Sequence, residues 1–292
     1  MAKTREIKKR IKAVGNIRRI TKTMQMIATS KFARAQQASV ASKPYTETLF
    51  ELVTQLAASL GSDATHPLLK SKGQGKELTL IITSERGLCG PYNGSTLRAA
   101  MAFLKNNPNA KGGVVEVVGK KGMGFLKYAG VQVARQHSQF GDKPTYENVR
   151  ALAEEYTQRF LSGELSAVRV ISMKYISAGK QTPTVLQLLP FQTENTAKKS
   201  AVSAGPAQIY EFIPSAGELL DTLLPAAVKA LLFQAFNDAV VSEHIARMVA
   251  MKSATDNAGK AGKRYTRIYN RARQAQITTE LTEIISGAAA LE

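Results

Sequence analysis

The sequence predicts an α/β fold in which long N- and C-terminal helices form an antiparallel coiled coil around an inserted α/β domain. All ten prolines of the 292 residues lie between Pro44 and Pro225. Proline costs about 3 kcal/mol inside a helix, so the two proline-free ends are expected to be long helices. Between them, short apolar runs alternate with helical stretches, which is typical of a mainly parallel sheet.

Residues 1–60 are predicted to form the N-terminal coiled-coil helix. Apolar or small residues recur every seventh position in one row, at 7, 14, 21, 28, 35, 42, 49 and 56. A second row follows at 17, 24, 31, 38, 45 and 52, and Lys31 and Ser42 interrupt the pattern. This 4,3 alternation predicts a seam for a partner helix. Pro44 is expected to kink or locally break the helix.

Residues 208–292 are predicted to form the C-terminal coiled-coil helix. A broad apolar face opens at Leu219 and reaches Phe236, and the 4,3 spacing returns near the end at 277, 281, 284 and 288. Gly259 and Gly262 are expected to weaken this helix without ending it. Its natural partner is the N-terminal helix, packed antiparallel.

Residues 76–193 are predicted to form a Rossmann-like α/β domain. Expected strands lie at 78–83, 114–118, 131–134, 168–175 and 185–189, and the helical stretches between them include 95–105, 122–128 and 145–162. Strands that alternate with helices favour a mainly parallel sheet. Residues 194–207 are a candidate linker.

Charge is concentrated at the two ends of the chain. The net charge is +18, and residues 1–46 hold 12 basic residues and one acidic residue. Between Arg247 and Arg273 there are eight basic residues and one acid, Asp256. Such an excess predicts an acidic partner: nucleic acid, a membrane surface or an acidic protein. Few aromatic residues accompany the N-terminal charge for base stacking, and its apolar seam is too narrow for an interfacial helix.

No catalytic or metal-binding motif stands out. The turn Gly119–Gly124 follows a strand, but its GxxGxG spacing matches neither common phosphate-binding loop. The three histidines lack metal-ligand spacing, and Cys89 has no neighbouring histidine, which favours a buried structural thiol. No stretch approaches 18 consecutive apolar residues, and the charged start lacks the apolar core of a secretory signal. We therefore expect no cofactor, metal or catalytic residue.

Longer motifs resemble one family. The run from Ile7 to Lys31 resembles the start of the gamma subunit of bacterial-type F-type (F1Fo) ATP synthase. Residues 246–257 and 269–284 resemble that family's C-terminal signatures, and Arg86-Gly87-Leu88-Cys89-Gly90 resembles its central one. The sequence departs from the family at 91–93, where Pro-Tyr-Asn replaces the common Gly-Leu-Asn.

The resemblance implies a mechanism. The paired helices would form an asymmetric shaft inside an alpha3beta3 catalytic ring. The α/β domain, with the epsilon subunit, would dock on the membrane c-ring, so that proton flow turns the shaft. Nucleotide would be bound by alpha and beta, which makes this chain a non-catalytic subunit. Membrane contact would come only through the complex, peripheral on the cytoplasmic face of the bacterial plasma (inner) membrane.

The resemblance also implies which residues face the ring: they match Met24, Arg247, Arg273, Gln274, Thr278 and Glu280. Met24 also fits the seam. Two other classes of protein stay open at this point. One is a basic scaffold that binds nucleic acid through residues 3–34, although the family implies no nucleic-acid partner. The other is an enzyme that uses the 119–124 turn.

Overall fold

The computed structural model describes residues 2–60, 66–71, 73, 75–141, 143–192 and 215–289. Contacts divide the chain into unit 1, Met1–Ser30 with Arg247–Glu292, and unit 2, Lys31–Ala246. The elements are α1 (Ala2–Leu60), β1 (Lys76–Ile82), α2 (Tyr92–Asn106), α3 (Pro108–Lys111), β2 (Val114–Val118), α4 (Lys120–Tyr128), β3 (Arg135–His137), α5 (Tyr146–Leu161), β4 (Leu165–Ser177), β5 (Lys180–Leu189) and α6 (Ala216–Ala289). The predicted linker and the predicted limits at 193 and 208 lie outside the described residues. The division of the chain into domains at 1–60, 76–193 and 208–292 stays a prediction.

Unit 2 contains a five-stranded sheet with the order β3-β2-β1-β4-β5. Its first four strands are parallel, and β5 runs antiparallel to β4, which confirms the predicted α/β class. The predicted strand at 131–134 is wrong, because β3 is Arg135–His137. The Val131 amide instead bonds the Leu126 carbonyl at the end of α4, and Val131 packs as a loop residue against an apolar cluster.

The central strand β1 has apolar side chains on both faces. Leu78, Leu80 and Ile82 lie in a cluster with α5 and the first half of α6, whereas Ile81 lies in another with α2 and α4. Such burial on both faces is typical of a parallel strand covered by helices.

The helix Gly217–Ala289 is long and apolar enough to cross a membrane, by length and composition alone. Core helices of other proteins meet the same criterion. Apolar residues of α6 between Leu220 and Phe236, among them Leu224, Val228 and Leu232, lie in this core.

A buried polar network joins β2, β3 and α5. The Glu116 carboxyl lies 2.6 Å from Nε2 of His137, 2.7 Å from the Tyr156 hydroxyl and 3.2 Å from Nη1 of Arg159. Nδ1 of His137 faces the Gln139 amide nitrogen at 3.3 Å, so the geometry fits the tautomer protonated at Nε2. Burial opposes ionisation of Glu116, but the hydrogen bonds from His137, Tyr156 and Arg159 outweigh it and lower the pKa of Glu116.

Unit 1 is an antiparallel pair formed by the start of α1 and the end of α6. Thr21 and Thr255 are hydrogen-bonded through their hydroxyls at 2.8 Å, and the Thr4 hydroxyl bonds Gln276 at 3.1 Å. As the residue number in α1 falls, that of its partner in α6 rises. The predicted antiparallel coiled coil is therefore confirmed.

The seam of α1 differs from the prediction in one of its two rows. The first row is confirmed, because all of its members in this unit are buried or half-buried: Ile7, Val14, Thr21 and Ala28. In the second row Met24 is half-buried as predicted, but Ile17 is 52% exposed, so the prediction is wrong there. Three half-buried residues that neither row includes also lie beside the first row: Thr4, Ile11 and Gln25. Since two of these three are polar, apolar spacing alone points to the neighbouring row.

The seam of α6 ends before the helix does. Its buried and half-buried positions include 251, 255, 258, 262, 265, 269, 272 and 276, which keep strict 4,3 spacing. The predicted continuation is wrong: Ile277 is 54%, Leu281 56% and Ile284 69% exposed, and Ala288 is also exposed. Thr4, close to the start of α1, already pairs with Gln276. Every described residue of α6 beyond Gln276 is exposed, so the seam ends there.

Neither glycine nor proline interrupts the long helices. Pro44 lies inside α1 and Pro225 inside α6, so the predicted local break at Pro44 is wrong. Gly259 and Gly262 also lie within the continuous α6. An added Cβ would lie 3.7 Å from Arg18 Nε at Gly259 and 3.9 Å from Val14 Cγ1 at Gly262, both ordinary contacts. The packing of unit 1 therefore does not require glycine at either position.

Replacing Gly262 by Ala is expected to raise the free energy of unfolding by about 0.5–1 kcal/mol, because alanine favours the helix. The matched control is Gly122→Ala in α4. There the new Cβ would lie 2.5 Å from Thr83 Oγ1 and 2.8 Å from Val117 Cγ2, so this variant should be less stable. Denaturant unfolding followed by circular dichroism measures both. The opposite sign in either variant would contradict the packing described.

Replacing Glu116 by Gln is expected to lower the free energy of unfolding by about 3 kcal/mol at pH 7, because Arg159 and His137 lose a buried charged partner. Because the pKa of Glu116 is lower in the folded chain than in the unfolded chain, its carboxylate stabilises the fold at a pH above the unfolded pKa. That stabilisation is lost as the pH falls through the folded pKa. The difference in the free energy of unfolding between Glu116→Gln and the wild type should therefore decrease below about pH 4.5. Glu155→Gln, at a partly exposed ion pair with Arg135, should cost under about 1 kcal/mol. Equal losses in the two variants would contradict this account.

Candidate functional site

The six predicted contact residues lie at two levels of unit 1. Met24 and Arg247 are half-buried, whereas Arg273, Gln274, Thr278 and Glu280 are exposed. Arg247 and Arg273 are 26 positions apart on one helix, or about 39 Å at about 1.5 Å per residue. The structure therefore does not bring the six together. It groups four of them within two turns near the end of α6.

These four residues surround an apolar stripe. At about 100° per residue, Gln274 and Thr278 lie opposite the seam, while Arg273 and Glu280 lie beside it. Ile277, Leu281 and Ile284 occupy the arc between them, and all three are more than half exposed. An exposed apolar stripe with a polar rim is typical of a protein–protein contact surface.

The sequence pattern identifies this stripe but predicts the wrong role for it. The apolar spacing at 277–288 predicts seam, whereas the structure makes it surface. The signal that could distinguish the two is helical phase. At about 100° per residue, the 4,3 spacing of the seam at 251–276 continues to 279 and 283, so Ile277, Leu281 and Ile284 lie to one side of the seam.

Positive charge covers the outside of the helix pair. The ion pair Arg10–Glu6, at 2.6 Å, joins two exposed side chains. The hydrogen bond from Arg10 to Glu6 raises the pKa of Arg10, and a hydrogen bond to Tyr265 adds a smaller effect. Lys260, Lys263 and Arg267 share one face of α6. Within the part of the chain that the structure describes, they have no acidic group within 4 Å. This charge is therefore available to an acidic partner.

The 119–124 turn is occupied by its own hydrogen bonds. The Lys121 amide donates to the Ser84 carbonyl at 3.2 Å, and the Gly122 amide donates to Thr83 Oγ1 at 3.0 Å. A phosphate at this helix start would have to displace both bonds. The geometry therefore favours a strand-to-helix turn that fixes α4 on the sheet.

Cys89 lies in the core of unit 2, as the sequence predicts. It is 3% exposed, packs with Tyr92 and Met173, and accepts a hydrogen bond from the Asn93 amide at 3.2 Å. Tyr92, at the position where the sequence departs from the family motif, therefore has a packing role. Among the described residues no group of three or more metal-ligating side chains is found.

Comparisons with known proteins agree along the whole chain. The family model described as ATP synthase matches residues 3–291. The chain is 40% identical over 299 residues to the ATP synthase gamma chain of Rhodopirellula baltica, and 40% identical over 294 residues to that of Leptospira biflexa. Both matches cover 100% of each chain. Nothing in them supports the nucleic-acid-binding scaffold.

Solved structures show the same fold. One is a chain of the Euglena gracilis mitochondrial ATP synthase in its OSCP/F1/c-ring assembly, with a TM-score of 0.66 and 18% identity over 99% of this chain and 95% of that one. Another, from the rotor of the same enzyme, has a TM-score of 0.62 over 94% and 99% of the two chains. With full-length relatives at 40% identity and a family model that spans nearly every residue, the chain belongs to the ATP synthase gamma chain family.

Proposed function

We propose that this chain is the central rotor shaft of an F-type ATP synthase, which couples proton flow across the membrane to ATP synthesis or hydrolysis. The observation that carries the proposal is the end of α6. There a single helix extends beyond its partner and exposes an apolar stripe between four polar residues. A surface of this kind requires a surrounding partner, and an alpha3beta3 catalytic ring would supply one.

The rotor role follows from the asymmetry of unit 1. At the level of Met24 two helices are packed together, while beyond Gln276 every described residue of α6 is exposed. Turning such a shaft inside a ring would present a different surface to each beta subunit in turn. Exposed ion pairs contribute about 0.2–1 kcal/mol each, so the basic face can guide contact with acidic loops without holding one orientation.

The remaining parts of the proposal concern partners and place. Unit 2 would dock with the epsilon subunit on the c-ring, and proton flow through that ring would turn the chain. Nucleotide would bind to alpha and beta, so this subunit would be non-catalytic and need no cofactor. Its contact with the membrane would come through the complex, on the cytoplasmic face of the bacterial inner membrane.

Co-expression with alpha and beta subunits tests the proposal. We expect a purified complex that contains all three chains and hydrolyses ATP. Omitting this chain is the control, and it should lower the yield or the rate of the complex. Failure of the three chains to co-assemble would overturn the proposal.

Replacing Arg273 and Gln274 together by Ala is expected to reduce ATP hydrolysis by that complex severalfold, because two side chains on the exposed end of the shaft are lost. The matched control replaces Arg150 and Gln158, an exposed Arg and Gln on α5 of unit 2, by Ala. Both variants should fold, as measured by circular dichroism. Equal rates in the two variants would remove Arg273 and Gln274 from the contact surface.

Amide hydrogen exchange at 277–289 should depend on assembly. In the isolated chain this single helix lacks a packed face and is expected to exchange rapidly, since short unpacked helices are marginal in water. In the complex with alpha and beta the ring should cover it and slow exchange at least tenfold. Helix α5 serves as the internal reference and should not change. Unchanged exchange at 277–289 on assembly would contradict a shaft that enters the ring.

A further inference from the structure

Gln276 lies at the level where the helix pair becomes a single helix. Its Oε1 accepts a hydrogen bond from the Thr4 hydroxyl at 3.1 Å, and its Nε2 donates to Glu280 Oε1 at 2.8 Å. The side chain is half-buried in the seam, whereas Glu280 is exposed on the end of α6. One amide thus connects the first turn of α1 to a predicted contact residue.

The chemistry of the three groups fixes the direction of this connection. An ionised carboxylate only accepts hydrogen bonds, so the Gln276 nitrogen must face Glu280. Its oxygen is then left for Thr4, whose hydroxyl can donate. Rotating the amide by 180° would place its oxygen against the Glu280 carboxylate, so that two acceptors would face each other. Both polar atoms of the amide are therefore hydrogen-bonded, and their positions cannot be exchanged.

We infer that Gln276 is a positioning residue for Glu280, an inference that rests on the rotor function proposed above. Glu280 has a flexible side chain on an exposed helix, and without a partner it would sample many rotamers. The bond from Gln276 holds its carboxylate along α6, beside the seam. Because Gln276 is itself held by Thr4, the orientation of Glu280 depends on α1 as well as on its own helix.

Two variants separate the two bonds of Gln276. Gln276→Glu keeps an oxygen that can accept from Thr4 but removes the donor to Glu280 and places a like charge four residues away. Thr4→Val removes the hydroxyl and leaves the bond to Glu280 in place. We expect the first to be the more damaging, because it breaks the contact that positions Glu280.

The test is a double-mutant cycle on ATP hydrolysis by the complex with alpha and beta. Glu280→Ala and Gln276→Ala should each lower kcat about twofold to fivefold, the lower part of the range for losing one ordinary, solvent-exposed hydrogen bond. KM for ATP should not change, because the nucleotide sites are on other subunits. In the Glu280→Ala background, Gln276→Ala should have no further effect.

Four outcomes decide the inference. A normal kcat in Gln276→Ala when Glu280→Ala is impaired would overturn it, and so would additive losses in the double variant. A normal kcat in Glu280→Ala would overturn both this inference and the proposed contact role of Glu280, while leaving assembly and the rotor function standing. Hydrogen exchange at 265–276 reports whether the helix pair is intact. Faster exchange there in Gln276→Ala would assign the loss to general destabilisation and overturn positioning.

Discussion

The structure of unit 1 depends on antiparallel packing between two helices from opposite ends of the chain. Residues separated by more than 200 positions are brought together, as the bond between Thr21 and Thr255 illustrates. The seam mixes bulky side chains such as Ile7 and Tyr265 with small ones such as Ala28 and Gly262. The polar pairs at Thr4 and Thr21 help to specify its register.

The contact surface that we propose lies at the end of α6. The apolar stripe there points away from the seam, and every described residue of α6 beyond Gln276 is exposed. The basic residues along the outside of the pair add a charge that the unit's own acids do not neutralise. Both features favour a partner outside the chain.

Much of the fold could be predicted from the sequence, because proline distribution and the 4,3 spacing report directly on helix. The errors share a physical cause. Apolar spacing places Ile17 in the seam and omits Thr4. This happens because the pattern detects only apolar residues, whereas part of this seam consists of hydroxyl and amide side chains. The same spacing places Ile284 in the seam, because the periodicity within 277–288 does not report its angle to the seam at 251–276. The exposed position of Ile284 follows from that angle, which is about 80° from Gln276 around the helix.

Direct observation of rotation would test the central claim. Tyr128 on α4 is 91% exposed while Cys89, the one native cysteine, is buried, so Tyr128→Cys offers a single accessible thiol for attaching a bead. With the catalytic ring fixed to a surface, ATP should turn the bead in one direction with three pauses per revolution, one for each beta subunit. ATP hydrolysis at a normal rate with a stationary bead would contradict the account of this chain as a rotor.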